Sequence, residues 1–334
     1  MDASAAGPAL LSLNDVGVAF HGPRGRRQVL GGLSFDVGPG EIVGVVGESG
    51  SGKSVTALAV MRLLGAQGEI TDGVIRLDNA DLARLPESAM RDIRGRAIAM
   101  IFQEPMTSLN PLFTAGFQIS EVLRGKLSLS KREARTRVVA LLDKVGLPAP
   151  AQRFDEYPGT LSGGMRQRIM IAMALACGPR LLLADEPTTA LDVTIQAQIL
   201  DLMLALRDSD GTAILLITHD MGVIARMADR VVVMYAGEAV ETAPLGALLA
   251  QPAHPYTRLL MAATPSVKRR SGTLPSIPGM MPAPDRLPAG CRFHPRCPVA
   301  LAECRRVKPA LAPVGGGRAS RCHRAGEMLG GGLL

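Results

Sequence analysis

One segment between residues 42 and 64 constrains the fold more than any other part of the sequence. A short β-branched run, Ile42–Val46, is bounded by glycine and leads into the loop GESGSGKS, residues 47–54, after which residues 54–64 have helical spacing. The loop matches the pattern GxxxxGK[ST] in the strand–loop–helix context that phosphate-binding loops require. The alternative is a glycine-rich structural turn, but the Lys-Ser pair and the preceding strand favour a P-loop.

The residue types in this loop fit the binding of a nucleoside triphosphate with Mg²⁺. Glycines allow backbone N–H groups to turn toward phosphate oxygens, and the start of a helix adds partial positive charge. Lys53 is expected to reach the β- and γ-phosphates, and the Ser54 hydroxyl to ligate Mg²⁺. The predicted nucleotide-binding residues of the loop are Gly47, Ser49, Gly50, Ser51, Gly52, Lys53, Ser54 and Val55.

A second apolar run, Leu181–Ala184, ends in two carboxylates, Asp185 and Glu186. This pattern predicts both acids at the carboxyl end of a buried strand, where α/β sheets bind ligands. An acid at such a position can also serve as a helix cap. Together with the P-loop, Asp185 is expected to hold Mg²⁺, and Glu186 to orient or deprotonate the attacking water.

The octapeptide LSGGMRQR, residues 161–168, precedes a predicted helix at Ile169–Ala176. Its hydroxyl and two glycines could present backbone amides and a helix N-terminus to an anion. Ser162 could equally be an ordinary N-cap followed by a glycine turn. The residues themselves favour neither interpretation.

The remaining pattern predicts an α/β fold with a helical insertion. Two alternating runs, at residues 11–20 and 33–37, indicate antiparallel strands, and residues 94–160 are mostly helical in pattern after a strand at Ile98–Phe102. Strand-like runs then alternate with helix-length segments, which is typical of a parallel sheet covered by helices. We find no internal repeat. These runs are Leu181–Ala184, Ile214–Thr218 and Val231–Tyr235.

The net charge of +7 comes from the C-terminal part of the chain. From residue 265 onward there are twelve Lys or Arg against three Asp or Glu, and ten of the 24 prolines. This region is expected to be a loop-rich extension. No apolar run approaches the roughly 18 residues of a membrane span, and the N-terminus lacks a basic region typical of a signal peptide. We therefore expect a cytosolic chain.

The motifs and their order resemble those of ABC ATPases, over about residues 10–260. LSGGMRQR resembles the family's signature motif, Gln103 its Q-loop glutamine, Ala190-Leu191-Asp192 its D-loop, and His219 its switch histidine. The resemblance implies catalytic roles for Glu186, His219, Gln103 and Lys53. It implies Mg²⁺ ligation by Ser54, Gln103 and Asp185. It also implies nucleotide contacts from Phe20, Gln103, Ser162, Gly163, Gly164, Asp192 and His219.

The implied fold is a P-loop NTPase core of the ABC type. It has a RecA-like mixed sheet, an antiparallel β subdomain and a helical signature subdomain at about residues 106–176. We expect the ATPase domain at residues 1–262 and the cysteine-containing extension at 263–334. The family also implies that ATP is held between two such subunits, so that an isolated chain hydrolyses it slowly.

Three stretches resemble the ATPases of dipeptide and oligopeptide importers: residues 100–111, 165–174 and 253–257. That subfamily also imports nickel, glutathione and other small solutes, so the cargo stays open. The implied partners are a related but non-identical ATPase subunit, two multi-pass permease subunits and an extracytoplasmic solute-binding protein. The implied location is the cytoplasmic face of the cell membrane.

Four cysteines lie in the extension, with the spacing C-x5-C-x6-C-x17-C. A thiol set in a cytosolic chain can hold zinc or an iron–sulfur cluster, or stay unligated, and the absence of a CxxC pair disfavours a zinc ribbon. His294 and His323 could compete as ligands. The subfamily resemblance implies a [4Fe–4S] cluster on Cys291, Cys297, Cys304 and Cys322, whereas Cys177 is expected to pack in the core.

Two other functions compete with an importer ATPase. A soluble ABC ATPase that acts on nucleic acid or ribosomes would account for the basic extension. Three observations argue against a nucleic-acid ATPase. The chain has a single ATPase unit, it lacks long heptad repeats, and Phe293 is the only aromatic residue of the extension, which is too few for base stacking. The extension could also be a purely structural module that docks a second subunit.

Overall fold

The computed structural model describes residues 8–23, 25–103, 108–189, 191–264 and 276–333. These residues form two compact units. The first unit comprises the described residues of 1–38, 42–84 and 216–334, and the second comprises 39–41 and the described residues of 85–215. Residues 1–7, 104–107, Ala190 and 265–275, on which parts of the sequence predictions fall, lie outside the described ranges.

Seven strands of the described ranges overlap predicted runs, and of these β2 begins well before its run, at Gly25 rather than at residue 33. In chain order they are β1 Leu11–Gly22, β2 Gly25–Val37, β3 Ile42–Val46, β4 Gly68–Leu77, β5 Ala80–Asp81, β6 Ile98–Ile101, β7 Leu181–Asp185, β8 Ala213–Thr218, β9 Arg230–Tyr235, β10 Glu238–Pro244, β11 Ala312–Gly315 and β12 Arg318–Ser320.

The α-helices alternate with strands through the middle of the chain. In chain order they are α1 Lys53–Met61, α2 Glu87–Arg96, α3 Ala115–Leu127, α4 Lys131–Lys144, α5 Pro150–Arg153, α6 Gly163–Leu175, α7 Val193–Asp210, α8 Met221–Met227, α9 Leu245–Ala250, α10 Pro255–Ala263 and α11 Ala325–Leu329. Across the described ranges, none of these helices has both the length and the apolar character needed to cross a membrane.

The first unit contains an antiparallel sheet with the strand order β2-β1-β4-β5. Leu13 of β1 lies opposite Phe35 of β2, and both side chains are buried. The alternation of apolar and polar residues in these strands puts one face against the core, as the sequence predicted. The antiparallel β subdomain is confirmed.

A mixed sheet in the first unit places the P-loop. Its strand order is β11-β12-β10-β9-β3. The β3 and β9 strands pair in parallel, with Val45 opposite Val232, and the other pairs are antiparallel. Every residue of β3 is buried, which is why this strand consists of Val, Ile and Gly and shows no alternation.

The second unit combines a parallel strand pair, β6 and β7, with the predicted helical insertion. Ile98 pairs with Leu181 in this sheet. Helices α3 and α4 begin at side-chain caps: Thr114 accepts a hydrogen bond from the backbone of Phe117, and Ser130 forms a capping box with Glu133.

The signature helix and the C-terminal extension also differ from the sequence predictions. Helix α6 begins at Gly163, inside the octapeptide, because Ser162 caps it and outweighs the low helix propensity of two glycines. The C-terminal extension, predicted as loops, also contains strands β11 and β12 and short 3₁₀ helices at His294–Arg296 and Glu303–Arg305. It gains strand structure because β12 hydrogen-bonds to β10 of the mixed sheet, a long-range pairing that leaves no local sequence signal.

Candidate functional site

The P-loop in the first unit is tightly packed at both ends. A Cβ at Gly47 would collide with the carbonyl oxygen of Met234, and Gly52 has φ +102, a conformation that glycine adopts without strain. Lys53 opens helix α1 and is nearly buried. Its ammonium donates hydrogen bonds to the carbonyl oxygens of Gly47 (2.8 Å) and Glu48 (3.1 Å). The lysine charge is thus held at the centre of the loop.

The other P-loop residues line a partly open surface. The Ser51 N–H donates to the Glu48 carbonyl at 3.2 Å, and the Ser51 carbonyl accepts from Gly237 at 2.9 Å. Ser49 and Gly50 are exposed. The buried Ser51 hydroxyl has no hydrogen-bond partner among the described residues. The exposed part of the loop is thus Ser49 and Gly50, and the Ser51 hydroxyl is a buried polar group that no described residue satisfies.

The two other predicted nucleotide contacts of the first unit lie at strand ends. Phe20 is half-buried near the end of β1, where it lies opposite Gly68 of β4. Its neighbour His21 is exposed and contacts Glu69 at 3.0 Å. His219 directly follows β8 and is exposed.

The carboxylate pair of the second unit lies at the end of β7. Asp185 is buried, and Glu186 has φ +48, a conformation that strains a non-glycine residue and is enriched at functional sites. One Glu186 carboxylate oxygen accepts from the Gln103 amide at 3.1 Å and from the Thr189 hydroxyl at 2.8 Å. The structure thus brings together Gln103 and Glu186, and it adds Thr189, which the sequence analysis missed.

The signature segment is tied to the same part of the second unit. The Ser162 hydroxyl accepts from the backbone of Met165 at 3.3 Å, so the capping interpretation of this serine is realised. Gly163 is exposed and lies in the first turn of α6. The buried amide of Gln167 donates to the carbonyl of Pro187, which joins the signature helix to the loop after Glu186. The sequence analysis assigned Gln167 no role.

The D-loop aspartate also caps a helix. The Asp192 carboxylate accepts from the Ile195 backbone at 2.9 Å at the start of α7. Ala190 of the same motif lies outside the described ranges.

The predicted nucleotide contacts are distributed over both units. Those in the first unit are Phe20, Gly47, Ser49, Gly50, Ser51, Gly52, Lys53, Ser54, Val55 and His219, and those in the second unit are Gln103, Ser162, Gly163, Gly164 and Asp192.

A contact that the sequence analysis missed joins the extension to the P-loop. Arg296 forms a bidentate ion pair with Glu48, at 2.7 and 2.9 Å, and the hydroxyl of Tyr256 accepts a hydrogen bond from the Glu48 N–H at 2.8 Å. The hydrogen bonds to Glu48 raise the pKa of Arg296, and burial raises the pKa of Tyr256, so both side chains keep their protons. A residue separation of 248 explains why no local pattern revealed this pair.

The four cysteines of the extension meet around one small cavity, which Phe293 and His254 also line. All the thiols are free, and burial raises the pKa of Cys291 to about 11 and that of Cys322 to about 12. Within the described ranges, however, no group of three or more Cys, His, Asp or Glu side chains could hold a metal ion. The expected [4Fe–4S] cluster is therefore not supported, although its four proposed ligands are brought together.

The two candidate histidine ligands are engaged elsewhere. A ring nitrogen of His294 lies 2.9 Å from the carbonyl of Cys291, and one of His323 lies 3.0 Å from the carbonyl of Val307. Cys177 is half-buried, and burial raises its pKa. Its environment fits a packing role.

Comparison with protein families and curated proteins matches both parts of the chain. The model of the ABC transporter family matches residues 30–189, and that of the oligopeptide/dipeptide transporter C-terminal region matches residues 240–304. The dipeptide transport ATP-binding protein DppD of Escherichia coli (strain K12) is 47% identical over 315 residues, which cover 94% of this chain and 96% of that protein. The oligopeptide transport ATP-binding protein AppD of Bacillus subtilis (strain 168) is 50% identical over 314 residues, with 94% and 96% covered.

Solved structures resemble the chain in fold. A dimeric, post-hydrolysis state of the ATP-binding cassette MJ0796 bound to ADP and phosphate superimposes with a TM-score of 0.64 at 30% identity. The match covers 70% of this chain and 98% of the cassette.

Proposed function

The chain belongs to the ATP-binding subunits of ABC transporters, in the oligopeptide/dipeptide group, and from this premise we propose that it couples ATP hydrolysis to the uptake of di- or oligopeptides. The observation that carries the proposal is its identity of 47 to 50% to dipeptide and oligopeptide transport ATP-binding proteins along 94% of its length. These relatives favour an importer over an ATPase that acts on nucleic acid.

We assign the hydrolytic step to named residues. Lys53 exchanges its bonds to loop carbonyls for phosphate oxygens, and Ser54, Gln103 and Asp185 would hold the Mg²⁺ that accompanies ATP and neutralises phosphate charge. Water attacks the γ-phosphorus, the bond to the bridging oxygen of ADP breaks, and Glu186 accepts the proton of the water. Support for this role of Glu186 comes from its bonds to Gln103 and Thr189, which fix the carboxylate.

The remaining contacts are assigned as the family resemblance implies. Phe20 stacks on adenine, and the other P-loop residues, Gly47, Ser49, Gly50, Ser51, Gly52 and Val55, surround the phosphates. Gln103 senses Mg²⁺ and water, and His219 contacts the γ-phosphate. We retain the functional division into an ATPase domain at 1–262, with a helical subdomain from about 106 to 176, and an extension at 263–334.

We propose that a second ATPase subunit, related but non-identical, completes the ATP site. The dimeric state of the similar MJ0796 cassette supports a two-subunit arrangement. Ser162, Gly163, Gly164 and Asp192 then face the nucleotide that the partner binds. Exposed Ser162 and Gly163 at the N-terminus of α6 provide backbone amides and a partial positive charge for this contact.

We place the permease contact on the second unit, in the segment that follows Gln103. Leu112, Phe113 and Phe117 are exposed there, and the two phenylalanine rings stack at 4.9 Å. Exposed apolar clusters of this kind mark protein interfaces. Docking to two multi-pass permeases, which receive solute from an extracytoplasmic binding protein, would hold the chain at the cytoplasmic face of the membrane.

A test of this function measures ATP hydrolysis by the complex of this chain with its partner ATPase, permeases and peptide-loaded binding protein. We expect peptides to stimulate hydrolysis severalfold, and nickel, glutathione and RNA to have no effect. If another solute stimulated hydrolysis instead, that solute would be assigned as the cargo in place of peptides. Stimulation by RNA alone would overturn the importer function.

We also propose that Cys291, Cys297, Cys304 and Cys322 hold a [4Fe–4S] cluster. Support comes from the four free thiols around one cavity and from the match to the oligopeptide/dipeptide C-terminal region. Such a cluster would contribute folding energy to the extension. Iron and acid-labile sulfide are measured in anaerobically purified protein, and four of each per chain are expected. Absence of both iron and sulfide after reconstitution would overturn the cluster proposal and leave bound zinc or unligated thiols as the alternatives.

A further inference from the structure

Glu48, the second residue of the P-loop, is held at three points within the first unit. Its carboxylate accepts both hydrogen bonds of the Arg296 guanidinium, its N–H donates to the Tyr256 hydroxyl, and its carbonyl accepts from the Lys53 ammonium. The Arg296 side chain is only 6% exposed, whereas that of Glu48 is 28% exposed. A bidentate pair with one partner buried fixes orientation as well as charge.

Through Glu48, the Arg296 ion pair connects the extension to the phosphate-binding lysine. Lys53 donates to the carbonyl of Glu48, and the position of that carbonyl depends on how the Glu48 side chain and N–H are held. Removal of Arg296 would release the Glu48 carboxylate, and removal of the Tyr256 hydroxyl would release the Glu48 N–H. The amides of the loop and the Lys53 ammonium would then have to be ordered by the nucleotide itself, which lowers affinity.

The extension holds Arg296 firmly in place. The side chain donates from Nε to the carbonyl of Pro278 at 2.7 Å. It belongs to the 3₁₀ helix His294–Arg296, which follows the fully buried ring of Phe293. That ring packs against Tyr235 and Tyr256, with centroids 5.1 and 5.3 Å away. The same aromatic cluster thus fixes both Arg296 and Tyr256.

We propose that Arg296 and Tyr256 form a clamp on Glu48 that preorganises the P-loop, so that the C-terminal extension sets the affinity of the chain for ATP. This inference rests on the proposed function, because it deepens the role of the same nucleotide site. Both are positioning residues: they act on the nucleotide through Glu48 and Lys53. The extension is consequently part of the ATP-binding apparatus as well as a subfamily-specific appendage.

The experiment measures ATP affinity of the full-length chain by calorimetry with Mg²⁺ present. We expect Arg296→Met and Glu48→Gln each to weaken ATP binding about tenfold, since misplacing a binding group by a fraction of an ångström has effects of this order. The double variant should be no weaker than either single variant, because both remove the same interaction. Arg296→Lys should recover part of the affinity.

Arg321→Met is the matched control. Arg321 also lies in the extension, and it donates to the carbonyl of Ala239 in the core at 3.0 Å and to that of Pro309 in the extension at 3.1 Å. Among the described residues, its side-chain hydrogen bonds and its ion pair with Glu238 involve no P-loop residue. This variant should lower the melting temperature while ATP affinity stays within about twofold of wild type. A structural role alone for Arg296 would make the two arginine variants behave alike.

Tyr256→Phe keeps the test decisive if Arg296→Met does not fold, since it removes one hydroxyl and leaves the ring packing. Unchanged ATP affinity in Tyr256→Phe and Glu48→Gln would overturn the clamp. Wild-type chain that fails to bind ATP would instead contradict the proposed function. The two failures are therefore distinguishable.

Discussion

Glu186 combines backbone strain with a fixed carboxylate. Its φ of +48 is unfavourable for a residue with a Cβ, and two donors, Gln103 and Thr189, hold one of its oxygens. Strain of this kind persists where surrounding contacts over-determine a conformation. Preorganisation of the carboxylate for proton transfer is the function that this geometry fits.

The first prediction concerns this carboxylate. Glu186→Gln preserves the shape and the contact to Gln103 but removes the proton acceptor, so ATP turnover by the assembled complex should fall by at least about 100-fold. ATP affinity, measured by calorimetry, should stay within about threefold of wild type because the phosphates are bound by other residues. Turnover above half of the wild-type rate would show that another group accepts the proton.

At the residue scale, the sequence predicts those candidate site residues that belong to motifs of fixed local spacing. Lys53 and Ser54 follow a fixed spacing, and Asp185 and Glu186 end an apolar run. Thr189 and Gln167 were not found because each acts by a hydrogen bond whose partner is set by tertiary structure. The pair of Glu48 with Arg296 joins residues 248 positions apart, which no pattern in a single sequence encodes.

At the scale of elements, the N-terminus of α6 combines an observed capping role of Ser162 with its proposed contact to nucleotide. Ser162 caps the helix, and the exposed start of the helix fits an anion site. A substitution that keeps the cap but changes the charge separates the two roles.

The second prediction uses Ser162→Asp. Aspartate is as good an N-cap as serine, so the free energy of unfolding should change by less than about 0.5 kcal/mol. ATP hydrolysis by the complex should fall about 100-fold, because the new carboxylate repels the γ-phosphate. Ser130→Asp at the start of α4 is the control for an added charge at an N-cap and should leave ATP hydrolysis unchanged. Its free energy of unfolding should fall, because the Ser130 hydroxyl donates to Glu133 and a carboxylate there would repel that side chain. Full activity of Ser162→Asp would restrict Ser162 to capping.

The third prediction concerns His254, which caps α10. Its Nδ1 accepts from the Tyr256 N–H at 3.0 Å, and complete burial lowers the pKa of His254 to about 3. Below pH 6.5 the His254 imidazole takes up a proton in the unfolded chain but stays neutral in the folded chain. His254 therefore makes the free energy of unfolding fall as the pH drops from 6.5 toward 3. The slope is about 1.4 kcal/mol per pH unit.

His254→Asn tests the prediction, since asparagine keeps the capping acceptor and does not titrate. Urea unfolding of both proteins between pH 7 and pH 4 should give a shallower pH dependence for the variant. Parallel curves would mean that His254 is protonated in the folded state.

Elements with strong periodicity were predictable, and those made by long-range pairing were not. The apolar strands β3, β7, β8 and β9 begin and end within a few residues of the predicted bounds, and helices α3, α4 and α5 fall within the segment predicted to be mostly helical. Strand β11 contains Pro313, and the glycines at 315–317 connect it to β12; both features are typical of loops. They become strands because β10 offers an edge to β12.

At the scale of the whole molecule, the C-terminal extension belongs to the same compact unit as the P-loop. Its basic charge, which could have indicated nucleic acid, includes arginines that pair with core acids. Arg292 and Arg321 contact the buried Glu238, and Arg296 contacts Glu48. The charge thus serves to attach the extension to the ATPase core.

The fourth prediction follows from the proposed two-subunit ATP site. An isolated chain lacks the signature residues of a partner, so its ATP turnover should be at least about tenfold slower than that of the assembled complex, as expected when transition-state contacts are missing. Phosphate release is measured for monodisperse chain and for complex at equal concentration. Equally fast turnover by a demonstrably monomeric preparation would contradict the shared site.

The most direct measurement of the central claim is peptide uptake driven by this chain. The complex is reconstituted in vesicles with external binding protein, internal ATP and a radiolabelled dipeptide. The account predicts ATP-dependent accumulation with the wild-type chain, and with Glu186→Gln a fall to the level seen without ATP. Undiminished accumulation with Glu186→Gln, or wild-type hydrolysis of ATP with no peptide uptake, would contradict it.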